Sequence, residues 1–181
     1  MPKNIFFIGP ASVGKSTAAK LLAEKLGRTF VDIDKEFCER IALIGDYLNA
    51  NGYEAYCEAN SALVGQLLLE NPENTVFATP AGFLAHEKSP HLVAKHLKLI
   101  KQGVSVLLLP DKDPQKGIDV IVARQLARWH DVEEQDQRFK FLDRFEKYKN
   151  YGDIQIFSME SAEVIVELIL KELNTNYGST T

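Results

Sequence analysis

Cysteine is scarce in this chain of 181 residues: only Cys38 and Cys57 occur. Two thiols make no metal-type cluster, and so little cysteine fits a reduced, cytoplasmic setting better than an oxidising one. Positive charge is not in surplus either. Lys and Arg number 21 against 25 Asp and Glu, a formal net charge of −4. Nothing is left over to neutralise a phosphate backbone, which argues against a nucleic-acid partner. No stretch reaches the roughly 18 uncharged apolar residues that a membrane span needs. Residues 1–8 are apolar but stop at Gly9, too short for a signal peptide. Internal repeats and low-complexity blocks are also missing.

What is present is an ordinary globular composition, 45% hydrophobic and 25% charged, on a chain long enough to bury one sizeable core. Short apolar runs at residues 4–8, 29–32, 75–78, 104–109 and 153–157 read as strands. Helical patterns separate them, over residues 15–26, 35–42, 53–70, 92–101, 118–129, 133–148 and 162–173. Alternation of this kind predicts βαβ units: an α/β fold in three layers, α/β/α, around a mainly parallel five-stranded sheet. One domain is expected over residues 1–173, followed by a frayed tail over 174–181. The order of strands in the sheet is not readable from the pattern.

One motif decides the class. Gly9-Pro10-Ala11-Ser12-Val13-Gly14-Lys15-Ser16 matches G-x-x-x-x-G-K-[ST]. Glycines let such a loop turn backbone N–H groups inward toward phosphate oxygens. The helix that follows adds the positive end of its dipole. Lys15 is placed to reach the β- and γ-phosphates and Ser16 to hold Mg²⁺. A chance match in a Gly-containing turn is the competing reading. The context disfavours it, because the loop follows a strand and opens a helix.

A second feature is Asp32-Ile33-Asp34, at the carboxyl end of the second strand. Ligands of parallel sheets bind beyond those ends. One carboxylate can orient a Mg²⁺-bound water and the other can take a proton from a hydroxyl. The alternative is structural: Asp32 ends the strand and Asp34 caps the next helix.

On these residues the chain resembles the shikimate kinase family, within the wider nucleoside-monophosphate-kinase-like group, over nearly its full length. The resemblance implies a P-loop kinase with a helical lid over residues 111–132, using ATP and Mg²⁺. It implies a nucleotide site at Gly9, Ala11, Ser12, Val13, Gly14, Lys15, Ser16 and Thr17, with Arg124 closing from the lid and Arg128 in reserve. Asp32 then helps place the metal with Ser16, and Asp34 contacts the accepting hydroxyl as candidate base. Lys15, Asp34 and Arg124 are the implied catalytic set. Arg144, four residues before Tyr148, matches the arginine that binds the acceptor's carboxylate.

The departures fall in the acceptor half. The family's G-E-x-x-F-R-x-x-E appears here as Gly52-Tyr53-Glu54-Ala55-Tyr56-Cys57-Glu58-Ala59-Asn60. Cys57 stands where the family has an arginine, and a thiol cannot replace a guanidinium fork. The family's glycine triplet appears as Thr79-Pro80-Ala81-Gly82, where only Gly82 remains a glycine and Pro80 removes an N–H. Asp34, Cys57, Gly82 and Arg144 are therefore the expected acceptor-binding positions.

Other features read more plainly. Trp129 and His130 in the expected lid suit packing better than ligand contact. His86, His91 and His96 lack metalloprotease spacing, so zinc has little support. Residues 131–149 alternate charge and read as the solvated face of a mobile lid. A GTPase is disfavoured, since no N-K-x-D-type segment occurs. The expectation is an ATP-dependent phosphotransferase acting on a small, hydroxylated, possibly anionic acceptor, as a monomer or weak homodimer. The alternative is a nucleotide-binding regulator of the same fold.

Overall fold

Five short apolar runs pair side by side because a buried strand must satisfy its backbone within the sheet. The computed structural model describes residues 1–86, 89–128 and 132–178. Its strands are β1 (Asn4–Ile8), β2 (Thr29–Asp32), β3 (Thr75–Ala78), β4 (Val104–Leu109) and β5 (Ile154–Phe157). All pairings are parallel and the order is β2-β3-β1-β4-β5. Every residue of β1, β3 and β4 is buried, whereas β5 at the edge alternates. Phe6 pairs with Phe77 across β1 and β3, and their rings stack with centroids 5.1 Å apart.

Seven helices cover the sheet among the described residues: α1 (Lys15–Leu26), α2 (Ile33–Arg40), α3 (Ile44–Glu70), α4 (Pro90–Ile100), α5 (Pro114–Arg128), α6 (Glu134–Tyr148) and α7 (Ala162–Tyr177). With right-handed crossovers, α1 lies on one face, joined there by α7, while α3 and α4 lie on the other. The chain leaves β1 toward one face and its neighbours β3 and β4 toward the opposite one. That divergence opens a crevice at the carboxyl ends of the central strands.

Several boundaries differ from the sequence reading, for local reasons. Helix α3 begins at Ile44 rather than 53, but it is bent at Gly52, whose φ of 82° and ψ of 169° are not helical. The pattern from residue 53 onward is its second limb. Helices α4 and α5 start at Pro90 and Pro114, since proline fits a first helical turn where its missing N–H is not needed. Helix α7 runs to Tyr177, so the tail expected from residue 174 is helical for one more turn. There the Tyr177 carbonyl accepts a hydrogen bond from the Met1 amino group at 3.0 Å. The charged stretch 131–149 is mostly α6, which buries Phe141, Phe145 and Tyr148 in the core and is no solvated lid. Trp129 and His130 lie outside the described residues.

Candidate active site

The crevice holds a cavity of about 1110 Å³. Its floor is the loop between β1 and α1. Gly9 has φ +137°, and a Cβ there would sit 2.6 Å from the Leu108 carbonyl oxygen of β4. Only glycine lets the loop cross so close to the sheet. Ser12 and Gly14 then take left-handed φ values of 61° and 94° and curl the loop into the start of α1. A concave turn at a helix N-terminus is an anion cradle.

Lys15 is buried, and its Nζ donates to the carbonyls of Gly9 at 2.8 Å and Pro10 at 2.6 Å. Burial pushes its ammonium down to about 8, with Asp34 pulling it back up and Arg144 opposing. Ser16 and Thr17 also line the cavity, as do Ala11, Ser12 and Val13. From α5, Arg124 Nη1 donates to the Ser12 carbonyl at 3.3 Å, and Arg128 lines the same space. The loop before α7, residues 158–161, and the start of that helix line the same space.

Asp32 and Asp34 divide two roles, and the structural alternative is corrected in part. Asp32, not Asp34, is the cap of α2: its Oδ1 accepts from the N–H groups of Asp34 at 3.1 Å and Lys35 at 3.3 Å. Asp34 is free of capping and lies inside the cavity. The Tyr56 hydroxyl donates to its Oδ1 at 3.3 Å. Burial raises the Asp34 carboxyl above the ordinary range, and the Lys15 charge partly offsets this.

The acceptor side is built by α3, the segment after β3, and α6. Tyr53, Tyr56, Cys57 and Asn60 all line the cavity. Their i, i+3, i+4, i+7 spacing puts them on one face of the second limb of α3. Cys57 is 2% exposed, and its Sγ lies 3.3 Å from His86 Nδ1. Burial pushes the thiol up and the imidazole down. Gly82, His86 and Arg144 complete this end.

Of the expected site residues, 11–17, Asp32, Asp34, Cys57, Gly82, Arg124, Arg128 and Arg144 line the cavity, while Gly9 lies beneath it against Leu108. Arg40 lies away from the crevice, held by Glu36 at 2.7 Å and Glu70 at 2.8 Å. The sequence reading missed Tyr53, Tyr56, Asn60 and His86. The helical spacing of the first three was a usable signal, and His86 had none. Among the described residues no cluster of three or more His, Cys, Asp or Glu side chains is poised for a metal, and no helix is long and apolar enough to cross a membrane.

The family model for shikimate kinase matches residues 11–174. The chain is 31% identical over 113 residues to a shikimate kinase of Psychrobacter sp., covering 62% of this chain and 58% of that one. It is 36% identical over 105 residues to a shikimate kinase of Methylococcus capsulatus, covering 55% and 56% respectively. It thus spans little more than half the length of these two curated relatives. Among solved structures, a shikimate kinase from Acinetobacter baumannii in complex with shikimate superimposes with a TM-score of 0.81, covering 98% of this chain and 96% of the other at 22% identity. That of Aquifex aeolicus gives 0.74 at 24% identity, covering 97% and 99%. At such identities the superpositions speak for the fold, and the family match carries the rest: the chain belongs to the shikimate kinase family.

Proposed function

We propose that the protein is an ATP-dependent phosphotransferase that moves a γ-phosphoryl group to a hydroxyl of a small polar, anionic acceptor. The observation that carries this is the placement of Asp34, a carboxylate without a capping duty, in one cavity with the phosphate loop and Lys15. Mg²⁺ and ATP, when bound, would supply the electrophilic phosphoryl group and neutralise part of its charge. The residues fit them. The loop is concave, Lys15 is buried beneath it, and Ser16 lies in the first turn of α1. Asp32 keeps Oδ2 for a metal-bound water while Oδ1 caps α2. Mg²⁺ usually takes few protein ligands, so the lack of a larger carboxylate cluster among the described residues suits it.

In this reading Asp34 accepts the acceptor's hydroxyl proton while that oxygen bonds to the γ-phosphorus and ADP departs. Lys15 and Arg124 balance charge on the transferring group. Arg144 holds the acceptor's anion. Closure of α5 over the loop would exclude water, the competing acceptor. The relatives named shikimate kinase support the class. Cys57 and Thr79–Gly82 favour an acceptor pocket remodelled from theirs.

The test is acceptor-dependent ADP release across a panel of hydroxylated acids and sugars with Mg²⁺ and ATP. Turnover with at least one acceptor, lost in Asp34→Asn, is expected. Tight nucleotide binding with no turnover on any acceptor would favour a regulator of the same fold instead.

A further inference from the structure

The acceptor end contains a convergence that neither the phosphate loop nor Asp34 explains. A methyl group built on Gly82 would lie 2.8 Å from the Tyr53 hydroxyl, 3.9 Å from Arg144 Nη2 and 3.9 Å from His86 Cε1. Side chains from α3, α6 and the segment after β3 thus surround a single point, and glycine keeps it open. No positive φ is involved at Gly82, so the reason for glycine here is space. Among the described residues no carboxylate lies within ion-pair distance of Arg144, which is half-buried. A guanidinium without a carboxylate partner in a cavity calls for an anion.

We infer that Tyr53, His86 and Arg144 form the anion subsite of the acceptor, in which an imidazole replaces the family's second arginine and takes up a proton when a carboxylate binds. The inference rests on the phosphotransferase reading only for calling the ligand an acceptor.

The chemistry follows from the neighbours of His86. Cys57 holds the position of the missing arginine, and its thiol stays protonated because burial raises it. It can donate S–H to His86 Nδ1, leaving Nε2 to carry the ring's own proton. From α3, Tyr53 lies 6.2 Å away between centroids; from α4, His96 lies edge-on at 5.6 Å. His96 is pushed down to about 4 by burial and stays neutral. From α6, Arg144 adds positive charge, while Lys147 is paired with Asp143 at 2.7 Å. Glu54 and Lys140, of opposite sign, line the adjoining outer cleft.

Burial and Arg144 therefore disfavour the protonated form of His86. A carboxylate at the Gly82 point reverses the balance, since an opposite charge favours the protonated ring. The folded, empty site binds fewer protons than the loaded one. Acceptor affinity must then rise as pH falls through the imidazole range, while the carboxylate itself remains ionised.

The probes are shikimate and its methyl ester, which carry the same hydroxyls and differ in charge. Binding is measured by calorimetry from pH 5.5 to 8.5 without nucleotide, on the wild type and His86→Gln. Wild-type affinity for shikimate should rise up to about tenfold toward low pH, as it does when binding a ligand raises the pKa of one imidazole by about 1. His86→Gln should flatten that slope. The ester should bind weakly, with no His86-dependent slope; any contribution from Asp34 would appear with both probes. In a second measurement, the NMR titration of His86 in the wild type should move to higher pH when shikimate is saturating. A flat wild-type profile, an unchanged slope in His86→Gln, an equal slope for the ester, an unmoved His86 titration or no shikimate binding at pH 5.5 would each overturn the inference. None of these readouts involves turnover, so failure of the kinase reading would be seen separately, as absent ADP release.

Discussion

The Tyr56 hydroxyl donates to Asp34 Oδ1 at 3.3 Å and is itself backed by Asn60 Nδ2 at 3.4 Å. Tyr56 and Asn60 lie four residues apart on α3, so one helix face delivers the whole chain of contacts. Burial and the adjacent carboxylate drive the ionisation of Tyr56 far above its ordinary range. The phenol therefore keeps its proton for Asp34, and a donor stabilises the charged carboxylate. It works against the burial that raises Asp34.

Tyr56→Phe should thus move the acidic limb of the kcat/KM profile for the acceptor to higher pH. Asp34 loses activity as pH falls through its raised pKa, and without the phenol that pKa is higher still. The lost activity should recover as pH rises above the shifted limb, as a pH–rate series would reveal. Asp34→Asn should instead lose roughly 10²-fold or more at every pH, the usual scale for a general base, with ATP affinity little changed. Near-normal turnover in Asp34→Asn would leave that residue without a catalytic part.

Lys15 provides a pH signature for nucleotide binding. Its ammonium titrates at about 8 in the ligand-free site because burial disfavours the charge. Phosphate binding favours the charged form, so affinity for Mg²⁺ and ATP should be level below about pH 8 and weaken above it by up to about tenfold for each further step of one in pH. Lys15→Ala should abolish phosphoryl transfer while the domain stays folded. Calorimetry between pH 6.5 and 9.5 checks the first point; a profile that stays level would contradict it.

Shikimate itself should be a poor acceptor at neutral pH, with a Kd of about 1 mM or weaker. Cys57 offers no guanidinium, and loss of one buried charged hydrogen bond costs about 2–5 kcal/mol. Cys57→Arg alone should not restore good activity. The position is enclosed, with His86 at 3.3 Å, and the Tyr53 hydroxyl faces both Cys57 and Arg144. Tight shikimate binding by the unaltered protein at pH 7.5, with ADP formed in step, would refute the prediction.

Tyr148 joins site to core. It is fully buried, and its hydroxyl accepts from the Leu84 N–H at 3.1 Å, just beyond Gly82. Tyr148→Phe leaves that buried N–H without a partner and should destabilise the fold by about 1–3 kcal/mol. Urea denaturation should show the loss as a lower midpoint at unchanged slope. An unchanged midpoint would mean that water or a shifted backbone satisfies Leu84.

Much of this protein was legible in its residues. The strands β1 to β4 and helix α1 were readable to the residue, because short apolar runs and capping glycines are local signals. The phosphate loop was equally clear, since its spacing is set by how a backbone wraps phosphate. Cys57 and Thr79–Gly82 marked the acceptor side as altered. The tertiary structure alone decided the strand order β2-β3-β1-β4-β5, because pairing between distant strands leaves no local pattern. It decided that Asp32 caps α2 and leaves Asp34 free of capping, a choice between two carboxylates that spacing permits either way. It also brought His86, Tyr53 and Arg144 to one point beside Gly82. These residues come from three separate segments, and only the packing of α3 and α6 around the crevice gathers them at one place.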